Sequence, residues 1–199
     1  MLDKYGVGQD PYCYPGTAVL RNRLGLRDDA ALNQAEHDLS AIAASEIDFE
    51  LPPYDLAYLK RIHLHLFKDL YDWAGQLRTV DISKDDTHFC NVSRIEPEAE
   101  KLFRALAQAG WLEGLDRAAL VTAVAEYFGD LNVIHPFREG NGRAQRILFE
   151  HAIVNAGYEI SWWAVDELEW IQANIDAVVC DYSALIRVFD RCVGGQIAT

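Results

Sequence analysis

Basic residues are scarce in this chain: 18 Lys and Arg stand against 31 Asp and Glu, a formal net charge of −13 over 199 residues. Nucleic-acid binding draws on positive charge that displaces counterions, so direct DNA or RNA binding is not expected. Cysteine is equally sparse. Cys13, Cys90, Cys180 and Cys192 lie far apart with no Cys-x-x-Cys pair, which removes the usual spacing of a zinc site and fits a reduced, cytoplasmic protein. His63 and His65 do not restore a metal site, because two helical residues that close in sequence point in different directions. No run of 18 apolar residues and no basic segment leading into an apolar stretch is present, so neither a membrane span nor a signal peptide is expected. Repeats, low-complexity tracts and long linkers are missing too. With 50% hydrophobic residues the expectation is a single domain over 1–199.

The informative segment is His135-Pro136-Phe137-Arg138-Glu139-Gly140-Asn141-Gly142-Arg143-Ala144-Gln145-Arg146. Upstream, Leu120, Ala123, Val124, Tyr127, Phe128 and Leu131 recur at helical spacing behind Asp116, a plausible N-cap. Pro136 ends that helix near Ile134 or His135, since the residue before a proline is pushed out of the α region. A second helix reads from about Gly142 to Asn155, with Gly157 to stop it. The segment is therefore a loop whose last residues open a helix.

That position sets the chemistry. A helix start has free N–H groups and partial positive charge, and so attracts anions. Gly140 and Gly142 allow close backbone approach to a phosphate, and Asn141 suits capping or a phosphate contact. Arg143 and Arg146, three apart, share a face and suit a clamp for outer phosphates. With Arg138 they form a focused basic cluster in an acidic chain. Glu139 beside so much phosphate makes sense as a Mg²⁺ ligand. His135 is suited to proton abstraction near neutral pH, and Phe137 to anchoring the loop. Any one of these is ordinary helix punctuation; a turn needs no clustered guanidinium groups.

The segment resembles the signature of the Fic family of protein adenylyltransferases, His-Pro-Phe-x-Asp/Glu-Gly-Asn-Gly/Lys-Arg-x-x-Arg, and meets every position of it. Trp73-Ala74-Gly75-Gln76-Leu77-Arg78-Thr79-Val80-Asp81-Ile82-Ser83-Lys84 looks like the family's lead into its "flap" hairpin. The resemblance implies a mainly α fold, a Fic-type helical bundle with a small β-hairpin flap near residues 79–92. The core would cover about 55–190, preceded by an N-terminal arm and helix over 1–54. It further implies ATP as co-substrate, with Gly140, Asn141, Gly142, Arg143 and Arg146 on its phosphates, Mg²⁺ on Glu139 and His135 as base. AMP would pass to a Tyr, Thr or Ser hydroxyl of a target protein, with release of pyrophosphate. Relatives resembling the Doc toxin carry Ala-Asn-Lys at positions 140–142 and act as kinases; glycine at 142 favours nucleotidyl transfer. A transferase using another nucleotide or a phosphocholine donor, or a nucleotide-binding module without turnover, are the alternatives.

The β-branched stretch Thr79–Ser83 and the stretch Thr87–Val92, around a polar tip, read as that hairpin. A target segment could add to its edge as a strand, with Ile82, Ser83 and Lys84 as the target-binding flap residues. Trp162, Trp163 and Asn174 are candidates for the adenine pocket. Many relatives carry an inhibitory helix, Ser/Thr-x-x-x-Glu-Gly/Asn. Here Glu precedes Gly or Asn only at Glu113 and Glu139, with Ala109 and His135 four residues before, so neither is that brake. The resemblance then implies a small separate antitoxin whose glutamate reaches Arg146, and a toxin–antitoxin pair. It also suggests the ATPase subunits of DNA gyrase or topoisomerase IV as targets.

Overall fold

The computed structural model describes residues 10–84 and 87–198. Seven helices carry it: α1 (Asp29–Ser45), α2 (Leu56–Phe67), α3 (Ile95–Gln108), α4 (Arg117–Ile134), α5 (Asn141–Asn155), α6 (Glu167–Ala177) and α7 (Ser183–Cys192). Four open on an aspartate whose carboxylate accepts a first-turn N–H: Asp28 from Ala31, Asp55 from Tyr58, Asp116 from Ala119 and Asp166 from Glu169. Such caps satisfy donors that a helix leaves unpaired at its start.

α4 is the central post. It buries Leu120, Val121, Val124, Ala125, Phe128 and Leu131 and packs against α3, α5, α6 and α7. Gly129 permits the closest approach, since a Cβ there would lie 2.8 Å from the Tyr182 ring and 3.0 Å from Ala177. α5 lies between α4 and α2, and α1 covers α2. The loop between α4 and α5 is thereby set in the middle of the bundle, which is what places the site.

The stripe Leu56, Leu59, Ile62, Leu66, Leu70 and Trp73 reads in the sequence as one helix from about Tyr54 to Trp73, but α2 stops at Phe67. The chain continues in turns, and the Leu70 carbonyl accepts from Arg23 N (2.8 Å) in the N-terminal arm. The apolar stripe persists, with Leu70, Tyr71 and Ala74 buried, which is why periodicity overran the helix. The flap hairpin is short: β1 (Ser83–Lys84) pairs antiparallel with β2 (Thr87–His88). A second small sheet, unforeseen in the sequence, pairs β3 (Tyr158–Ile160) with β4 (Val193–Gln196). The four cysteines are free thiols. Among the described residues no helix is long and apolar enough to cross a membrane.

Candidate active site

His135 ends α4 in the left-handed region (φ 47°) and its N–H still reaches the Leu131 carbonyl. Its ring Nδ1 lies 3.1 Å from the Asn132 carbonyl. A carbonyl only accepts, so Nδ1 carries the proton and Nε2 keeps its lone pair. Phe89 of the flap stacks on the ring at 3.8 Å. Burial, the largest influence, lowers the imidazole pKa to about 4, so His135 is neutral at physiological pH.

Arg78 ties the flap to this histidine. Its buried guanidinium donates to the His135 carbonyl (2.8 Å), to Val80 O (2.7 Å) and to Cys90 O, while its own N–H meets Pro136 O (2.9 Å). Val80 and Cys90 flank the two flap strands, so one buried cation is satisfied jointly by the hairpin and the loop that follows α4.

The loop beyond His135 is pinned at nearly every residue. Phe137 is fully buried and stacks on His63 at 3.8 Å. Its N–H and carbonyl both pair with the Asn141 side chain at 2.8 Å, so Asn141 shapes the loop while its second Nδ2–H remains available to an acceptor. Gly140, the N-cap residue of α5, offers no side-chain cap and adopts φ +78°; a Cβ would lie 2.3 Å from the Phe67 ring. His63 accepts from Gly75 N at Nδ1 (2.9 Å) and donates from Nε2 to the Glu139 carbonyl (2.9 Å). Burial lowers its pKa to about 4 as well. The Glu139 carboxylate accepts from Gly140 N at 3.1 Å. By contrast, a Cβ on Gly142 would meet nothing within 4 Å.

The three arginines part company. Arg138 is buried and pairs with Asp10, Nε to Oδ2 at 2.6 Å. It belongs to the scaffold, correcting the expected three-arginine anion cluster. Arg143 lies over Phe67, 4.8 Å from the ring centroid, and reaches Glu36 and Ser40 on α1. Arg146 faces the same hollow as Arg143.

Two hollows open beside the first turn of α5. One, of about 380 Å³, is lined by His135, Gly142, Asn132, the flap residues Lys84, Thr87 and Phe89, and an apolar wall from α6 including Trp170, Ile171 and Ile175. Asn174 lines it as well. Trp162 lines the other hollow instead, and Trp163 is 98% exposed. In the flap, Ile82 is buried and its carbonyl accepts from Phe89 N (3.3 Å), so its side chain anchors the hairpin. Ser83 is partly buried and Lys84 exposed; Asp85 and Asp86 lie outside the described residues. The second hollow, about 280 Å³, is lined by Ser40, Arg143, Arg146, Glu150 and Trp162 among others.

Sequence reasoning missed Asp10, Glu36 and Phe67 and the structural roles of His63 and Arg78. One signal for Glu36 was available: Leu32, Glu36 and Ser40 follow one another at helical spacing, and all three are buried.

Comparison with known proteins agrees with this geometry. The model of the Fic/DOC family matches residues 53–153. A relative named "Probable protein adenylyltransferase Fic" from Escherichia coli (strain K12) is 43% identical over 97% of this chain and 96% of its own length. The protein adenylyltransferase VbhT of Bartonella schoenbuchensis is 39% identical over 94% of this chain and 40% of its own. Among solved structures, BepC of Bartonella tribocorum, a VirB-translocated effector crystallised with AMPPNP, superposes with a TM-score of 0.86 at 27% identity. That match covers 93% of this chain and 97% of BepC. With its signature loop pinned between two central helices and its flap lying against the histidine, the chain belongs to the Fic/DOC family.

Proposed function

We propose that this chain transfers AMP from ATP to a hydroxyl of a target protein and releases pyrophosphate. The observation carrying this is the His135 imidazole, held as the Nδ1–H tautomer in the hollow that Gly142 and the flap also line. The apolar wall of α6, with Asn174, suits the adenine ring. The α-phosphate sits at the first turn of α5, where backbone N–H groups and the open Gly142 admit it. Arg143 and Arg146 take the outer phosphates. Nε2 of His135 takes the proton from the target hydroxyl, whose oxygen bonds to the α-phosphorus as the bond to the pyrophosphate oxygen breaks. Asn141 serves by holding the loop, and Phe137 by anchoring it.

A single carboxylate, Glu139, fits Mg²⁺, which takes one or two carboxylates and fills its remaining positions from phosphates and water. An ion held by Glu139 would supply charge neutralisation to the phosphates. Ile82, Ser83 and Lys84 present the flap edge to an extended target segment, whose main-chain pairing sets the register of the hydroxyl.

A toxin–antitoxin role extends this reading: a separate antitoxin would place a glutamate on Arg146, which is exposed to the second hollow. Gyrase or topoisomerase IV ATPase subunits are the targets we would test first, in the cytoplasm. Normal growth of cells making soluble, active protein alone would refute the toxin role. The central test incubates purified protein, Mg²⁺ and bacterial lysate with ATP labelled at the α- or γ-phosphate. Label should pass to protein from the α-position alone and fall about 10²–10⁴-fold in His135→Ala. Transfer from the γ-position would make the chain a kinase and overturn the reading.

A further inference from the structure

Glu36 sits on α1, 107 positions from Arg143, and is 8% exposed. Both of its carboxylate oxygens are engaged: Oε1 accepts from Arg143 Nη2 and Oε2 from the Tyr71 hydroxyl. Tyr71 is itself buried and stacks on Trp73 at 4.3 Å. Arg143 Nη1 donates to Ser40 Oγ at 2.9 Å and more weakly to the Glu36 carbonyl at 3.4 Å. Phe67 closes the other side of the guanidinium, and the same ring forbids a side chain at Gly140. The arginine is thus held by carboxylate, hydroxyl and aromatic face at once. Three of its five N–H groups are used, leaving Nε–H and one Nη2–H for an anion.

The geometry points to Glu36 as a positioning residue for phosphate binding: with Tyr71 and Ser40 it orients Arg143 toward the outer phosphates of the nucleotide before the nucleotide arrives. This rests on the assignment of Arg143 to those phosphates. Two other roles make different demands. A contact that only fastens α1 to α5 would affect stability and not nucleotide selectivity. A contact that sequesters Arg143 would restrain binding, and its removal would strengthen it. Fixing an arginine in advance lowers the ordering cost paid on binding, an effect confined to ligands that reach it.

The test titrates ATP and AMP, with Mg²⁺, into the full chain and its Glu36→Gln, Arg143→Gln and doubly substituted forms, each checked by circular dichroism and thermal melting. Glu36→Gln should weaken ATP binding about tenfold, as loss of one charge-assisted contact does, and leave AMP binding unchanged. In the Arg143→Gln background it should add nothing further, the sign that it acts through that arginine. If Glu36→Gln does not fold, Tyr71→Phe, which frees one carboxylate oxygen, should show a smaller loss in the same direction. Equal losses for ATP and AMP, unchanged affinities or tighter ATP binding would each overturn the positioning role. Unchanged ATP affinity in Arg143→Gln would instead refute the phosphate assignment beneath it. Weakened ATP binding in Arg143→Gln beside an unaffected Glu36→Gln would sink the positioning role alone.

Discussion

A methyl group on Gly140 would meet the Phe67 ring at 2.3 Å on a backbone already at φ +78°. Gly140→Ala should therefore cost about 1–3 kcal/mol of stability, read as a lower urea midpoint. Gly142, two residues on, faces open space. Gly142→Lys should leave that midpoint within about 0.5 kcal/mol and still abolish transfer from α-labelled ATP, because its side chain would fill the seat proposed for the α-phosphate. His63 makes an acid-sensitive support. Its imidazole titrates near 6.5 when unfolded and about 4 in the fold, so between those values the unfolded chain binds more protons. Stability from this group is full above pH 6.5 and is lost as pH falls toward 4, by about 3 kcal/mol. Urea denaturation from pH 7 to 4.5 should show it, with a shallower dependence in His63→Gln. Motif residues could be read from the sequence because their partners are local: Asn141 binds Phe137, four positions away. For Glu36 the sequence offered only its helical spacing with Leu32 and Ser40, and for Asp10 nothing, since their partners Arg143 and Arg138 lie over a hundred positions along the chain.

At the level of elements, the helix capped by Asp116 was legible and the strands only partly so. Helix caps and 3.6-residue periodicity are local signals, whereas β1 and β2 have two residues each and β3 three, too few to establish alternation. The flap was found through its β-branched lead-in; the sheet of β3 and β4 joins segments that show no pattern alone. What holds the flap is Arg78, through carbonyls of Val80, Cys90 and His135. Arg78→Met removes those donors and leaves buried carbonyls unpaired. The Phe89 and Cys90 amides, which now bond to Ile82 and Val133, should exchange with deuterium markedly faster. AMP transfer to protein should drop more than ATP affinity does, as expected of a flap that serves the target in the proposed reading.

Across the whole molecule, the N-terminal arm closes on the signature loop. Asp10 and Arg138 are both nearly inaccessible, 5% and 1% exposed, so breaking the pair strands a charge in the interior. Asp10→Ala should cost about 3–5 kcal/mol, and the double change Asp10→Leu with Arg138→Met much less, as measured by equilibrium denaturation. The arm's tyrosine extends the clasp, with Tyr12 OH accepting from Thr79 N at 3.1 Å at the approach to the flap.

These long-range supports bear on how the protein can be inherited and recombined. The stretch matching the family model runs from 53 to 153 and contains every signature residue. Yet Asp10, Glu36 and Ser40 precede it, and the α6 wall of the site follows it. A chimera that exchanges only the matched stretch between relatives would carry Arg138 and Arg143 away from the residues that hold them. Signature and scaffold form one heritable unit: a change at Asp10 should be tolerated only when Arg138 changes with it, and Glu36 should be retained wherever Arg143 is.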